Sequence, residues 1–330
     1  MNIFVVGGGN IAHSIAAKLS QTMVVTVLTR RPLEWKSRLE FIQGDAVSAS
    51  RFTVAATSEV DGLSEADIVF VALPQFAIEA VIDRIEARLK KGSTIVFVPA
   101  PARIKRYAES FARHGIRTVG FQRVPYIARI LRYGQSVTVS GDRETHKIVV
   151  SDPLMRAEWH ERCSLWFGGT AEYLSSFLAL AFNNSNPLLH PSRLVVLFKN
   201  WRQKKYLYNP PFYGEWTDES SELYVNADGE MREVMTRYPL DMESDYESVS
   251  DHYGVMTIGE LTGKLHSIPS FKSILSPMVQ TADGWIPDFN SRYFTEDIRF
   301  GLAEMLKLAQ AAQVSVPTMR ALYDGVNKLR

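Results

Sequence analysis

The sequence predicts an α/β fold in which a parallel sheet covered by helices is followed by an all-α C-terminal domain. Three observations support this prediction. Short β-rich runs alternate with helical patterns up to about residue 174, a glycine cluster follows the first strand, and the pattern beyond is mostly helical. Strands that alternate with helices favour a parallel sheet. We therefore place the domain boundary between residues 1–174 and 175–330.

The N-terminal domain begins with a strand, NIFVVG, and a helix from Asn10 to about Gln21. The following runs predict, in order, strands VVTVLT and DIVFVAL, a helix AIEAVIDRIEARLK, strand STIVFVPA, another helix, and strand RTVGF. Two further runs, SVTVSG and HKIVVS, are bounded by glycines and charges, so we expect additional strands that close this unit.

The C-terminal domain contains a polar run, NNSNPLLHPSR, between two apolar helical segments. Proline cannot donate a helical hydrogen bond and restricts the residue before it. Pro187 and Pro191 therefore predict a broken or kinked helix near His190. In the last part of the chain, IRFGLAEMLKLAQAA places five apolar residues on one helical face: Ile298, Leu302, Met305, Leu306 and Ala309.

Composition limits the function classes. The chain has 330 residues, of which 46% are hydrophobic, and a net charge of +1, which does not favour nucleic acid as a partner. No stretch reaches the roughly 18 apolar residues of a membrane span. The single cysteine, Cys163, leaves no internal disulfide or multi-cysteine metal site. We expect a cytoplasmic protein with small-molecule substrates, no metal, no nucleic acid and no membrane. Helical domains of this kind often dimerise, so we expect a homodimer, but no interface residues can be identified from the sequence.

The first chemical motif is GGGNIA, a G-x-G-x-x-A pattern directly after the first strand. The glycines allow a tight turn and the approach of a pyrophosphate, and the helix start then binds its charge. The alternative is a simple glycine turn, which the strand before it and the helix after it disfavour. We predict a Rossmann domain. The predicted cofactor-binding residues here are Gly7, Gly9, Asn10, Ile11 and Ala12, with Leu73 and Pro74 at the end of the strand run DIVFVAL.

The end of the second strand selects the cofactor. An acidic residue there suits the ribose hydroxyl of NAD, whereas arginine suits the 2′-phosphate of NADP. This chain has Thr29, Arg30 and Arg31 at that place. We therefore predict NADPH as the preferred cofactor. The alternative interpretation is a solvated basic loop.

The candidate catalytic residues come from two runs. His190 lies in the proline-rich run, and SRYFTEDIRFGL supplies Arg292 and Asp297. Thr295 is the predicted N-cap of the last long helix, which would put Glu296 and Asp297 in its first turn. Histidine exchanges protons near neutrality, an aspartate can orient it, and arginine can bind a substrate carboxylate. A well-capped helix is the simpler alternative for the two acids.

Two further residues are candidates for substrate binding. Asn186 belongs to the same polar run as His190. Tyr213 lies in the aromatic stretch YLYNPPFYGEWTDESSELY with Trp216, and this stretch either lines the substrate cleft or packs as a surface insertion. Packing is the favoured interpretation of that stretch.

These motifs resemble the octopine/nopaline dehydrogenase group of the opine dehydrogenases, over nearly the whole chain. GGGNIA matches that family's dinucleotide fingerprint, and VPYIAR resembles its proline-aromatic-x-Ala-Arg segment. NPLLHP resembles the segment that bears its catalytic histidine, which corresponds to His190. NADGEMREV resembles a family helix, and SRYFTEDIRFGL is similar to the signature that places Arg292 and Asp297 in the site.

The resemblance implies a reductive condensation: an amino acid amine and a 2-oxo acid join, and a nicotinamide hydride reduces the imine to a secondary amine dicarboxylate. His190 would then manage protons, Asp297 would support it, and Arg292 would bind a carboxylate. One alternative is a ketopantoate-reductase-like 2-oxo acid reductase, although that family uses a helix lysine that SSFLALAFNNSNPLLHP lacks. Another is a non-catalytic NADP-binding sensor.

Overall fold

The computed structural model describes residues 1–201, 205–238 and 245–329. Contacts between residues divide the chain into two compact units, Met1–Ala181 and Phe182–Arg330. We call them the N-terminal unit and the C-terminal unit. The first contains the strand-rich part of the sequence and the second the helical part, which confirms the predicted fold class.

Twelve strands belong to the N-terminal unit. They are β1 Asn2–Val6, β2 Val24–Thr29, β3 Arg38–Gln43, β4 Ala46–Arg51, β5 Thr53–Ala56, β6 Ile68–Val71, β7 Thr94–Phe97, β8 Arg117–Phe121, β9 Tyr126–Arg132, β10 Ser136–Asp142, β11 Thr145–Val150 and β12 Thr170–Tyr173. Eight of them form one sheet in the order β12-β11-β8-β7-β6-β1-β2-β5. From β8 to β5 all neighbours are parallel, in the strand order of a Rossmann sheet.

The central strands of the main sheet are apolar and lie in the core. All residues of β6 and β7 are buried, as expected for parallel strands covered on both faces. The predicted strand HKIVVS is β11, which pairs antiparallel with β8. The other predicted addition, SVTVSG, does not join this sheet.

A second sheet has the order β4-β3-β10-β9 and packs on the helix that follows β1. SVTVSG forms β10 of this sheet, so it is an additional strand of the N-terminal unit as predicted, and it belongs to the second sheet. Strands β3, β4 and β9 were not predicted. β4 buries no residue, and β3 and β9 bury only two residues each, so the apolar signal of these strands in the sequence is weak.

Six α-helices begin in the N-terminal unit. They are α1 Asn10–Leu19, α2 Gln75–Glu79, α3 Ile82–Glu86, α4 Ile104–Arg113, α5 Arg156–Arg162, which continues as the π-helical turn Cys163–Phe167, and α6 Phe177–Phe182. Short 3₁₀ turns occupy Pro32–Glu34, Asp61–Glu65 and Pro153–Met155. The predicted helix AIEAVIDRIEARLK is instead the pair α2 and α3. The β-branched Val81, at φ −127°, leaves the helical region between them.

The described part of the C-terminal unit is mainly helical. Its helices are α7 Asn186–Leu197, α8 Asp218–Met235, α9 Val249–Tyr253, α10 Ile258–Ser267, α11 Ala303–Ala311 and α12 Pro317–Asn327, with a 3₁₀ turn at Pro269–Phe271 and a π-helix at Tyr293–Leu302. The exception to the predicted all-α composition is one hairpin, β13 Met278–Thr281 with β14 Gly284–Pro287. The five apolar residues predicted on one face of the last long helix are all buried.

The helix that carries His190 is continuous from Asn186 to Leu197, so the chain does not break at His190 itself. The break falls earlier, between α6 and α7. Pro187 stands at the start of α7, where its missing N–H costs nothing, and Pro191 lies inside the helix. Residues 187–194 are all buried, and this packing maintains the helix through Pro191.

Within the described residues, every helix is too short or too polar to cross a membrane.

Candidate functional site

The glycine loop lies where β1 meets α1. Gly7 adopts φ +146°, and a Cβ atom there would meet the Ala72 carbonyl oxygen at 2.6 Å and the Ala12 Cβ at 3.2 Å. A side chain at Gly7 is therefore excluded by both conformation and space. Since Ala72 directly follows β6, this contact also joins the ends of the adjacent parallel strands β1 and β6.

The start of α1 fits a pyrophosphate. A Cβ atom at Gly9 would meet nothing within 4 Å, so the backbone is open to a ligand. No side chain caps the helix, which leaves the first N–H groups, those of Asn10, Ile11 and Ala12, for an anion. The Asn10 side chain has a different partner: its Oδ1 accepts a hydrogen bond from Ile130 N at 2.9 Å.

The other predicted cofactor residues flank this loop. Leu73 and Pro74 follow β6, and Pro74 is the N-cap of α2. Thr29 ends β2 and is buried, whereas Arg30 and Arg31 are exposed. The Arg31 guanidinium lies 3.8 Å from the centre of the Tyr133 ring and pairs with Glu34 at 3.1 Å.

A buried histidine, His13, supports the loop, and no motif in the sequence indicated this role. His13 Nε2 accepts a hydrogen bond from Gly134 N at 2.8 Å, so Nδ1 carries the proton and donates to the Gly9 carbonyl at 3.0 Å. Burial lowers the pKa of His13 to about 4, which keeps the ring neutral. Tyr133 is close by: its hydroxyl would be 2.6 Å from a Cβ atom at Gly8.

A histidine–aspartate pair is the chemical centre of the C-terminal unit. His190 Nδ1 lies 2.7 Å from Asp297 Oδ2, and their side chains are 9% and 14% exposed. An ionised aspartate accepts from Nδ1–H, which makes the Nε2 lone pair the proton acceptor of the ring. The arrangement can therefore accept and return a proton at Nε2, with the carboxylate stabilising the imidazolium.

Aromatic residues surround this ring. The Tyr213 hydroxyl is 3.3 Å from His190 Nε2, and the Tyr293 ring centre is 4.1 Å from that of His190. Burial raises the pKa of Tyr213, so its phenol stays protonated and can donate to Nε2. Tyr213 also stacks on Phe271 and Trp216. It therefore both packs and contacts the histidine.

The π-helix positions Asp297. Hydrogen bonds in a π-helix join residues five apart, as between Ala303 N and the Ile298 carbonyl. Arg292 and Asp297 are five apart and so lie one turn above each other. The helix begins at Tyr293, so Thr295 lies inside it, and the Thr295 Oγ1 donates to the carbonyl of Ser291 before the helix. The prediction of Thr295 as N-cap, with Asp297 in the first turn, was therefore wrong.

Two predicted residues lie near the pair without a hydrogen bond to His190. Asn186 is exposed, one helical turn before His190 on α7. Arg292 is exposed at the start of the π-helix, and its charge acts on the neighbouring Tyr293 phenol. Two residues near the pair were not predicted as site residues. Tyr293 lies within the same motif as Arg292, and Arg193 lies one turn after His190.

Known proteins share both parts of this architecture. Residues 173–330 match the family model "NAD/NADP octopine/nopaline dehydrogenase, alpha-helical domain", and residues 2–101 match "NADP oxidoreductase coenzyme F420-dependent". The tauropine dehydrogenase of Arabella iricolor is 22% identical, across 98% of this chain and 90% of its own length. The helical domain of the chain belongs to the opine dehydrogenase family. The chain is thus an NAD(P)-dependent oxidoreductase acting on CH–NH bonds.

Solved structures of opine dehydrogenases have the same fold. Octopine dehydrogenase with NADH and pyruvate is similar with a TM-score of 0.83 at 20% identity, covering 100% of this chain and 89% of that one. NADP⁺-bound yersinopine dehydrogenase is similar with a TM-score of 0.73 at 13% identity, covering 100% and 90%. A nicotinamide cofactor therefore suits the glycine loop of this chain.

Proposed function

We propose that this chain is an NADPH-dependent opine dehydrogenase, which condenses an amino acid with a 2-oxo acid and reduces the imine to a secondary amine dicarboxylate. The observation that carries the proposal is the largely buried contact of 2.7 Å between His190 and Asp297. A protein that only binds the cofactor has no need for an oriented acid/base pair.

Condensation moves protons at two atoms. The amine must lose a proton before it attacks the carbonyl, and the carbonyl oxygen must gain protons to leave as water. His190 Nε2 carries two protons in turn from the nitrogen to the oxygen, one from the ammonium group before the attack and one from the adduct, so that water leaves and the protonated imine remains. Asp297 stabilises the charged ring each time. Arg292 binds a substrate carboxylate with its planar fork. The bound nicotinamide supplies the hydride that reduces the imine carbon.

The cofactor preference rests on the end of β2. Arg30 is exposed and makes no hydrogen bond or ion pair with the described residues, so its charge is available to a 2′-phosphate. Arg31 is held over Tyr133 and can provide a second positive charge. No acid stands at the end of β2 to accept a ribose hydroxyl. These features support NADPH.

The test is NADPH oxidation by the purified protein with pyruvate, oxaloacetate, glyoxylate or 2-oxoglutarate, each with and without a pool of amino acids. We expect oxidation that requires both an oxo acid and an amine. Oxidation by an oxo acid alone would instead identify a simple 2-oxo acid reductase. Tight NADPH binding without turnover across this panel would favour a sensor.

A further inference from the structure

The C-terminal unit buries a positive charge beside the proposed acid/base pair. Arg193 is 3% exposed and lies on α7, three residues after His190. Among the described residues it is the only lysine or arginine buried to this extent. Burying a charge costs free energy unless an opposite charge or a hydrogen-bond acceptor compensates it. The guanidinium of Arg193 therefore needs such a partner.

The structure supplies no direct partner. Among the described residues, none forms a hydrogen bond or an ion pair with Arg193, and its Nε is enclosed without an acceptor. Burial lowers the pKa of Arg193, while the negative charge of Glu215 acts against that shift. The Glu215 carboxylate is exposed and accepts from the Tyr208 hydroxyl at 3.2 Å. Glu215 therefore attracts the guanidinium through space without bonding to it.

Arg193 and His190 share one side of α7. Residues three and four apart lie on the same helical face, which aligns His190, Arg193 and Leu197. The segment 206–216 runs along this face: Tyr213 contacts His190, and the Tyr206 hydroxyl donates to the Leu197 carbonyl at 3.4 Å. Arg193, whose Nε has no acceptor among the described residues, thus lies on the same helical face as His190, along which the segment 206–216 packs.

The proposed reaction needs two carboxylate sites. An amino acid and a 2-oxo acid each carry one carboxylate, and the product keeps both. Arg292 accounts for one of them. We propose that Arg193 binds the other substrate carboxylate, as a buried arginine whose hydrogen-bonding groups are completed by the substrate. This inference rests on the proposed function. Arginine suits the role because its planar fork bonds both oxygens of a carboxylate.

The experiment compares Arg193→Met with the wild type on matched substrates with and without the carboxylate. The amine arm uses each active amino acid and its decarboxylated amine, for example L-arginine and agmatine. The carbonyl arm uses pyruvate and acetaldehyde. We expect kcat/KM to fall about 100-fold, mainly through KM, in the one arm whose carboxylate Arg193 binds. The carboxylate-free substrate of that arm should keep its wild-type kcat/KM.

Arg193→Lys and Glu215→Gln extend the test if the methionine variant does not fold. The lysine keeps the charge but loses the fork, so it should show a smaller loss confined to the same arm. Glu215→Gln removes the carboxylate that competes for the guanidinium, so KM in that arm should fall severalfold. Exposed Arg320 on α12 provides the matched control, Arg320→Met, which should match the wild type.

Equal losses with and without the carboxylate in both arms would overturn the role of Arg193 and make it a structural residue. A wild-type protein that never requires an amine would overturn the proposed function itself. The two failures are therefore distinct.

Discussion

At the scale of single residues, the first prediction is that replacing His190 lowers turnover without changing the affinity for the cofactor. His190 belongs to the C-terminal unit, whereas the glycine loop belongs to the N-terminal unit. His190→Asn keeps a polar side chain but cannot exchange the proton, so we expect kcat to fall by about 10² to 10⁴. The NADPH dissociation constant, measured by fluorescence titration, should stay the same. Unchanged turnover would remove His190 from the mechanism.

Arg30 gives the second prediction at this scale. Replacing Arg30 with alanine removes a charge from the end of β2, where the 2′-phosphate of NADP would lie. We expect KM for NADPH to rise roughly 10- to 100-fold and KM for NADH to stay within about twofold. Steady-state kinetics with both cofactors measure this. Equal KM changes for NADPH and NADH would show that Arg30 does not read the phosphate.

At the scale of elements, two acids of the motif NADGEMREV hold other helices in place. Glu230 on α8 accepts hydrogen bonds from Thr318 N at 2.7 Å and Met319 N at 2.9 Å, and so caps α12. Asp228 accepts from Val249 N at 3.1 Å, at the start of α9. The motif is therefore explained by helix capping across the C-terminal unit, a role that the sequence did not reveal because the capped helices lie far along the chain.

Glu230→Ala should lower the free energy of unfolding by about 1 to 3 kcal/mol. The reason is that the N–H groups of Thr318 and Met319, at the start of α12, lose a charged acceptor. Urea denaturation measures the change as a shift of the midpoint. Glu222 lies on the same helix and is exposed, so Glu222→Ala is the control and should change stability by less than about 0.5 kcal/mol. Similar midpoints for the two variants would contradict the capping role.

The sequence predicts elements best where the physics is local. The strands β1, β2, β6, β7 and β8 are apolar runs beside helices, and all were predicted. The π-helical start of the last long helix was not, because its winding depends on packing rather than on Thr295. The pair of His190 and Asp297 was proposed from residue types, yet its distance, the Tyr293 ring and the unsatisfied Arg193 depend on contacts between distant segments.

At the scale of the whole molecule, acid stability depends on histidines that the N-terminal unit keeps neutral. His13 connects the Gly9 carbonyl to Gly134 between β9 and β10. His146 on β11 donates from Nε2 to the Gly168 carbonyl at 2.6 Å. Burial lowers the pKa of both. Each ring thus joins two segments that are distant in sequence. His13 must remain uncharged to do so, because its Nε2 accepts a hydrogen bond.

The sign of the pH effect follows from these pKa values. The pKa of His13 is about 4 in the folded protein and about 6.5 when unfolded, so the unfolded state binds more protons between these values. The stability of the N-terminal unit should therefore be constant above pH 6.5 and fall as the pH drops towards 4. His13 alone contributes a loss of about 3 kcal/mol across this window. Urea unfolding at pH 7.5, 6, 5 and 4.5, followed for wild type and His13→Gln, measures the difference. The glutamine cannot become protonated, so the decline should be shallower in the variant, and parallel curves would show that His13 is not the group that titrates.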